Sequence, residues 1–302
     1  MYDVAIVGGG IAGITAALYA KRANLKIVLI EKLTIGGQLS FIDTVENYPG
    51  FSRISGREFT NALSAQIKAL SVEVIRENVV SVKNDKKVFE ISTRKNAVLA
   101  KALIIATGAS PRSLGVKGEK ELAGKGVSYC AVCDGFFFKD KKVSVIGGGN
   151  TALEEALYLS SIAKEVYVIH RRNEFRGFPL LSEKVRNTDN IILLMDSVLK
   201  EIKGSQKVEE LSVENVKSKK ITLINTDGVF IAVGYAPSTE FLKGFLSLDE
   251  QGFIVTDSGY MTSEKGVFAC GDCRKRNVKQ LITAASEGAE AAINAYNYLK
   301  TS

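Results

Sequence analysis

One pattern used twice limits the fold of this chain more than any other feature. The stretch DVAIVGGGIAGITAALYAKRANLKIVLIEK, from residue 3, aligns without a gap to KVSVIGGGNTALEEALYLSSIAKEVYVIHRR, from residue 142. Each copy is an apolar β-branched run, a glycine cluster, an amphipathic helical stretch and a second apolar run. Short apolar strands flanking a helix form a βαβ unit in a parallel sheet. Two such units predict an α/β protein with two Rossmann-like nucleotide-binding domains, and 302 residues are enough for two cores.

The first copy carries Gly8, Gly10 and Gly13 as G-x-G-x-x-G. The first glycine serves a tight turn, the second a close approach of backbone to pyrophosphate, and the third the packing of helix on strand. Its second strand ends at Glu31, where a carboxylate holds ribose hydroxyls. The second copy reads Gly147, Gly149 and Ala152, and its second strand ends in His170, Arg171 and Arg172, with Arg176 a few residues on. A carboxylate there would repel a 2′-phosphate, whereas guanidinium groups bind one bidentately. The second nucleotide is therefore expected to be NADPH rather than NADH.

The final helical stretch, ITAASEGAEAAINAYNYL (282–299), comes after GVFACGDCR and has no place in the second domain, whose sheet already ends in VFIAVGY (229–235). The layout expected is a discontinuous first domain, 1–113 with 246–302, and an inserted second domain, 114–245. Two chain crossings between domains invite a hinge. Composition agrees with a soluble globular protein, at 46% hydrophobic and 24% charged residues. No apolar run reaches the length of a membrane span, and the N-terminus shows no basic segment or cleavage site, so a cytoplasmic protein is expected. The net charge of +7 raises the question of nucleic acid. Yet the basic clusters, NDKKV (84–88) and KSKK (217–220), fall where hairpin turns or strand edges would lie, and no nucleic-acid motif accompanies them.

Four cysteines stand as two C-x-x-C pairs, Cys130 with Cys133 and Cys270 with Cys273. The spacing alone allows a zinc site, a static disulfide or a redox pair.

With GGGIAG and Glu31, GGQL, VENYPG, ATGA, CAVCDG, GGGNTALEEA, HRRNEFR and GVFACGD on view, the chain resembles the low-molecular-weight thioredoxin reductases over essentially its whole length. The resemblance implies FAD in the first domain, NADPH in the second, a homodimer, and a Cys130–Cys133 disulfide reduced through the flavin and passed to thioredoxin. By position it implies that Cys133 faces the flavin, that Cys130 attacks the substrate disulfide, and that Asp134 is the neighbouring acid and base. For FAD it implies Gly8, Gly10, Gly13, Glu31, Gly37, Gln38, Asn47, Thr107, Gly108, Gly271, Asp272, Lys279, Gln280 and Leu281. For NADPH it implies Gly147, Gly149, Asn150, Thr151, Glu154, His170, Arg171, Arg172 and Arg176. No metal, nucleic acid or membrane partner is expected. Two departures stand out: Lys279 where the family often has Arg, and Cys270 with Cys273 where small apolar residues are common. The second pair is read as small buried residues, with a second disulfide or a relay near the flavin as the alternatives.

Against zinc, the second pair flanks Gly271 and Asp272, which belong to the FAD reading, and a static disulfide is poorly suited to a cytoplasmic protein. Thiol–disulfide exchange fits the first pair, since C-x-x-C commonly depresses one thiol pKa. Both the nicotinamide and the cysteine pair fall in the second domain and the flavin in the first, so the inserted domain is expected to swing between two states. A reductase of the same build serving another disulfide acceptor, such as a glutaredoxin-like protein or a peroxidase system, remains the alternative.

Overall fold

The computed structural model describes residues 1–42 and 44–301, and the chain divides into two compact units, 1–110 with 236–302 and 111–235. The first begins with β1 (Tyr2–Val7), α1 (Ile11–Arg22) and β2 (Ile27–Ile30). A short antiparallel pair comes next, β3 (Thr44–Val45) and β4 (Ile54–Ser55), and then α2 (Gly56–Ala69). Ser55 caps α2, accepting from the Glu58 N–H while the Glu58 carboxylate accepts from the Ser55 N–H, a reciprocal box that fixes where the helix starts. Next come β5 (Glu73–Ile75), β6 (Val79–Asp85), β7 (Val88–Thr93) and β8 (Ala97–Ile105). The main sheet has the order β5-β2-β1-β8-β7-β6. β8 is long enough to pair antiparallel with β7 through Ala97–Ala100 and parallel with β1 along much of its length. The basic NDKKV stretch is the β6–β7 turn, with Lys86 and Lys87 at positive φ.

The chain leaves the first unit through β9 (Ala109–Pro111). The second unit contains β10 (Val127–Ser128), α3 (Ala131–Asp134), β11 (Lys142–Ile146), α4 (Asn150–Ser160), β12 (Glu165–Ile169), α5 (Pro179–Arg186) and β13 (Ile191–Leu194). It continues through a meander of β14 (Ser197–Lys203), β15 (Glu210–Asn215) and β16 (Ile221–Asn225), then β17 (Gly228–Ile231). Its five-stranded sheet, β10-β17-β11-β12-β13, is parallel throughout. The meander is antiparallel. KSKK lies at its β15–β16 turn, where Lys217 and Lys219 pair with Asp196 and Glu214.

The chain returns through β18 (Tyr235–Pro237), which pairs with β9, so the two crossings run side by side. This return comes earlier than 246. Leu242 and Leu246 are buried in the core of the first unit, alongside Val82, Phe89 and Ile105, and hold the segment there. β19 (Val267–Ala269) then joins the main sheet against β8, and α6 (Leu281–Thr301) closes the unit.

In the first unit α6 packs on α1 through small residues: Ala12, Ala16 and Ala20 meet Ala284, Gly288, Ala291 and Ala295. The approach is so close that a Cβ on Gly288 would stand 2.1 Å from the Ala12 carbonyl oxygen. Residues of β1 alternate between two cores. Val4 and Ile6 face the helices, while Ala5 and Val7 face the opposite side. Each βαβ unit thus sets its glycine loop at the carboxyl ends of parallel strands, where nucleotides bind in such sheets.

Candidate active site

In the first unit the glycine loop has the shape of a phosphate cradle. A Cβ at Gly8 would lie 2.3 Å from the Ala106 carbonyl oxygen, and one at Gly13 would lie 1.8 Å from that of Gly8. Gly10, between them, faces open space with nothing within 4 Å. It precedes α1 as an N-cap without a side-chain partner, so the first N–H groups of the helix stay available to an anion. Glu31 is buried beside this loop, its Oε2 accepting from the Gly9 N–H at 2.6 Å and its Oε1 from the Leu33 N–H at 2.8 Å. An ionised carboxylate retains further acceptor sites for ribose hydroxyls.

The other residues of the FAD set belong to the same unit. Gly37 packs closely on it, since a Cβ there would stand 3.1 Å from Gly10 Cα. Gln38 donates to the Ala109 carbonyl, and Asn47 donates to Gln280 Oε1 at 3.2 Å although 233 residues separate them. Thr107 and Gly108 come just after β8, and Leu281 opens α6. The Lys279 ammonium sits 3.9 Å from the centre of the Phe253 ring, and burial lowers its pKa. Asp272 lies 2.8 Å from Arg276 Nη2, and Arg276 and Arg274 both pair with Glu287, whose Oε2 also accepts from the Gly271 N–H. Burial pushes the Asp272 carboxyl up, and Arg276 and Lys279 oppose it. Thr107 Oγ1 is buried without an aligned hydrogen-bond partner among the described residues, while Asp272 Oδ1 is buried with Arg276 as its ion-pair partner. A buried polar atom calls for a partner, and a hydroxyl of the FAD chain would supply one for Thr107. The residues present fit the cofactor.

The second unit repeats the cradle. A Cβ at Gly147 would stand 2.5 Å from the Ala232 carbonyl oxygen and 2.7 Å from the Ala152 methyl, while one at Gly149 would meet nothing within 4 Å. α4 starts at Asn150 without a side-chain cap. Asn150 Oδ1 accepts from the Phe178 N–H at 2.7 Å, and the Arg176 N–H donates to the Gly148 carbonyl at 2.7 Å, so the basic loop folds back onto the glycine loop. Thr151, Glu154, Arg171, Arg172 and Arg176 are exposed. His170 is buried against Gly148, its Nε2 3.0 Å from the Glu174 carbonyl. Burial, then Arg171, Arg172 and Arg176, depress its pKa, so the ring is neutral and the three arginines carry the positive charge. The fit here is to a nucleotide with an extra phosphate.

Between β10 and α4 lies the cysteine turn. Cys130 and Cys133 are joined as a disulfide. Cys130 is half-buried, and its Sγ accepts from the Cys133 N–H at 3.2 Å; Cys133 itself is exposed. Asp134 Oδ2 accepts from the Ser128 hydroxyl at 2.5 Å, and the same hydroxyl accepts from the Cys130 N–H at 3.1 Å. Beneath the turn Glu155 Oε1 accepts from the Ala131 N–H at 3.3 Å. Tyr129 donates to Glu119 and accepts, at its carbonyl, from the Tyr235 hydroxyl.

A family model of the pyridine nucleotide-disulphide oxidoreductases matches residues 2–288. The curated thioredoxin reductase of Peptoclostridium litorale is 40% identical over 307 residues, covering 99% of this chain and 98% of its own. This chain belongs to the thioredoxin reductases. The crystal structure of the thioredoxin reductase from Streptococcus pyogenes MGAS5005 matches at a TM-score of 0.94 with 43% identity, covering 100% of this chain and 99% of that one. That of Lactococcus lactis, described as in the FR conformation, is 39% identical over 100% of both chains with a TM-score of 0.70. The thioredoxin reductases depend on FAD and NADPH and work through a redox disulfide, which makes this chain an oxidoreductase.

Membership leaves the second cysteine pair to be explained. Cys270 packs into the helix-side core and Cys273 into the core on the other face of the sheet, where its thiol donates to the carbonyls of Cys270 and Ile105. Both are free and fully buried. Burial raises the Cys270 thiol well above its ordinary range and pushes that of Cys273 up to about 11, so neither is a reactive thiolate. The alternative of a second disulfide therefore gives way to two small buried residues. The oxidised native protein is expected to be silent in an Ellman titration and to release two thiols per chain when denatured. Four after denaturation would mean that the first pair had been reduced, and none would restore the second disulfide.

Two side chains at the cysteine turn lie outside the residues singled out from the sequence. Ser128 stands before the motif in an ordinary strand, and its bridge to Asp134 appears only once the turn folds back. Glu155 is one of two adjacent glutamates in α4. Helical spacing from the buried Ala152 and Leu159 would have pointed it inward while leaving Glu154 outside.

Proposed function

We propose that this chain reduces the disulfide of thioredoxin with electrons from NADPH. The observation that carries the reading is the Cys130–Cys133 disulfide on the same unit as a glycine loop closed by three exposed arginines. Arg171, Arg172 and Arg176 hold the 2′-phosphate, while the α4 N-terminus with Asn150 and Thr151 receives the pyrophosphate. Gly8, Gly10, Gly13, Glu31, Thr107, Asp272 and their neighbours hold FAD, which when bound supplies the relay between a hydride donor and a dithiol. The first unit is thus the FAD-binding domain and the second the NADPH-binding domain.

Cys133 takes the attack on the partner disulfide and also faces the flavin, because it is the exposed cysteine of the pair. This reverses one role implied by the resemblance, which gave the attack to Cys130. Asp134, held by Ser128 beside the turn, accepts and returns the proton of the exchange. Val132, Phe136 and Phe137 are exposed around the disulfide, an apolar rim suited to a protein partner rather than a small thiol. Because one unit presents both the nicotinamide and the disulfide to a flavin on the other, the second unit swings about the paired crossings β9 and β18.

The protein works in the cytoplasm as a homodimer. No helix among the described residues is long and apolar enough to cross a membrane. An apolar concavity between α1, α2 and α6, with Tyr19 and Phe51 exposed at it, supports the dimer. The test is light scattering on the flavoprotein with thioredoxin turnover measured on the same sample. A mass of two chains with NADPH-dependent turnover is expected, and a single-chain mass with full turnover would rule out the dimer.

A further inference from the structure

The second unit contains a half-buried acid, with one carboxyl oxygen shielded from solvent, that the electron path does not use. Glu155 lies in α4 directly beneath the cysteine turn. Its Oε1 accepts from the N–H of Ala131, the residue after Cys130. Its Oε2 is buried and has no hydrogen-bond partner among the described residues. An ionised carboxylate rarely leaves one oxygen dry and unpaired, because the desolvation cost falls on the charged form. A neutral carboxyl pays far less there.

The groups facing Glu155 reinforce that state. From α3 comes the carboxylate of Asp134, and from its own helix the exposed Glu154. The Ala131 N–H is the one group that favours the anion. Burial outweighs it, and the Glu155 carboxyl is pushed up to about 7. Two carboxyls thus stand at the turn in different environments, Asp134 hydrogen-bonded by Ser128 and Glu155 with its Oε2 shielded beneath it.

We propose that Glu155 is a positioning residue of the redox centre, a half-buried carboxyl that sets how readily the opened Cys130–Cys133 pair holds a thiolate. The inference rests on the redox reading of that pair. In its neutral form Glu155 fixes the Ala131 backbone at the turn and adds no charge. In its ionised form it places an anion in a poorly solvated site against the turn and disfavours a second anion on sulfur. Below neutrality the thiolate is supported, and as pH rises through the Glu155 titration that support is withdrawn.

The test is the pH profile of thiol alkylation in the dithionite-reduced flavoprotein, resolved for Cys130 and Cys133 by mass spectrometry. Wild type is compared with Glu155→Gln, which keeps the shape and removes the charge, and with Glu155→Asp. The Gln variant should match wild type at pH 6 and react about three- to tenfold faster at pH 8, where wild type carries the anion. The Glu155→Asp variant, which keeps a titrating carboxyl, should retain a second inflection in the profile. Parallel profiles at all pH values for folded, flavin-replete Gln variant and wild type would overturn the proposal. Should the Gln variant fail to fold, the wild type answers alone. With its glutamates 13C-labelled at the carboxyl, a redox-difference infrared spectrum should show a protonated-carboxyl band that responds to opening of the disulfide. Absence of that band would also overturn it. Failure of the redox reading itself would look different, because Cys130 and Cys133 would then fail to appear as thiols on reduction at any pH.

Discussion

Replacing Cys133 by Ser is expected to lower NADPH-driven reduction of thioredoxin by at least about a thousandfold, because the nucleophile of the exchange is gone. The cradles for both nucleotides are built from other residues, so NADPH should still bleach the bound flavin in this variant. Cys130→Ser should lose turnover to the same degree, since the mixed disulfide can no longer be resolved. The two variants should differ in what they trap. With Cys133 the exposed sulfur, Cys130→Ser should accumulate a covalent complex with thioredoxin and Cys133→Ser should not. Trapping by Cys133→Ser alone would return the attack to Cys130. The measurement is non-reducing electrophoresis with mass spectrometry of the linked peptide, beside stopped-flow absorbance of the flavin.

The second large effect concerns coenzyme choice. A charge-assisted hydrogen bond contributes about 1.5–3 kcal/mol, and the exposed Arg171, Arg172 and Arg176 are the cations at the end of β12. Replacing Arg171 and Arg176 together by Ala should lower kcat/KM for NADPH by about a hundredfold or more, and that for NADH by far less. The preference should therefore narrow by nearly the whole loss. Changing His170 should act differently. The ring is neutral and wedged against Gly148, so its loss should loosen the loop for both coenzymes rather than select between them. Equal losses for NADPH and NADH in the double Arg variant would remove these residues from phosphate recognition. Steady-state kinetics with both coenzymes decides it.

Much of the fold is legible in the sequence because the relevant signals are local. β1 and β11 are mostly apolar and end in runs of buried residues that only a sheet covered on both faces would bury, and the glycine spacing after each of them dictates a tight turn into a helix. The helical stretch at 282–299 forms α6, whose ends differ from it by no more than a turn. The illegible part depends on packing between distant segments. VFIAVGY reads as the last strand of its sheet and leaves the return crossing to be placed at 246. Only the burial of Leu242 and Leu246 shows that the chain has already crossed back.

The two C-x-x-C pairs make the same point at the site. Their spacing is identical, yet Cys130 and Cys133 curl together on one turn of α3 while Cys270 and Cys273 pass from one face of a sheet to the other. Spacing states what is possible, and the local backbone decides. Asn47 and Gln280 meet across most of the chain, a contact for which the resemblance supplied the residues and tertiary packing the reason. Ser128 stays invisible in the sequence because it matters only through neighbours that folding brings to it, and Glu155 is marked only as an inward-facing position of a helix.

An electron path from NADPH through Cys130 and Cys133 to a protein disulfide has one direct test. It is NADPH oxidation by the FAD-loaded protein, with and without each thioredoxin of the same organism, under anaerobic conditions. Rapid, continuous oxidation is predicted only when thioredoxin is present, one NADPH consumed for each thioredoxin disulfide opened. NADPH that bleaches the flavin and opens the Cys130–Cys133 pair, but leaves every thioredoxin oxidised, would contradict that path and point to another disulfide acceptor.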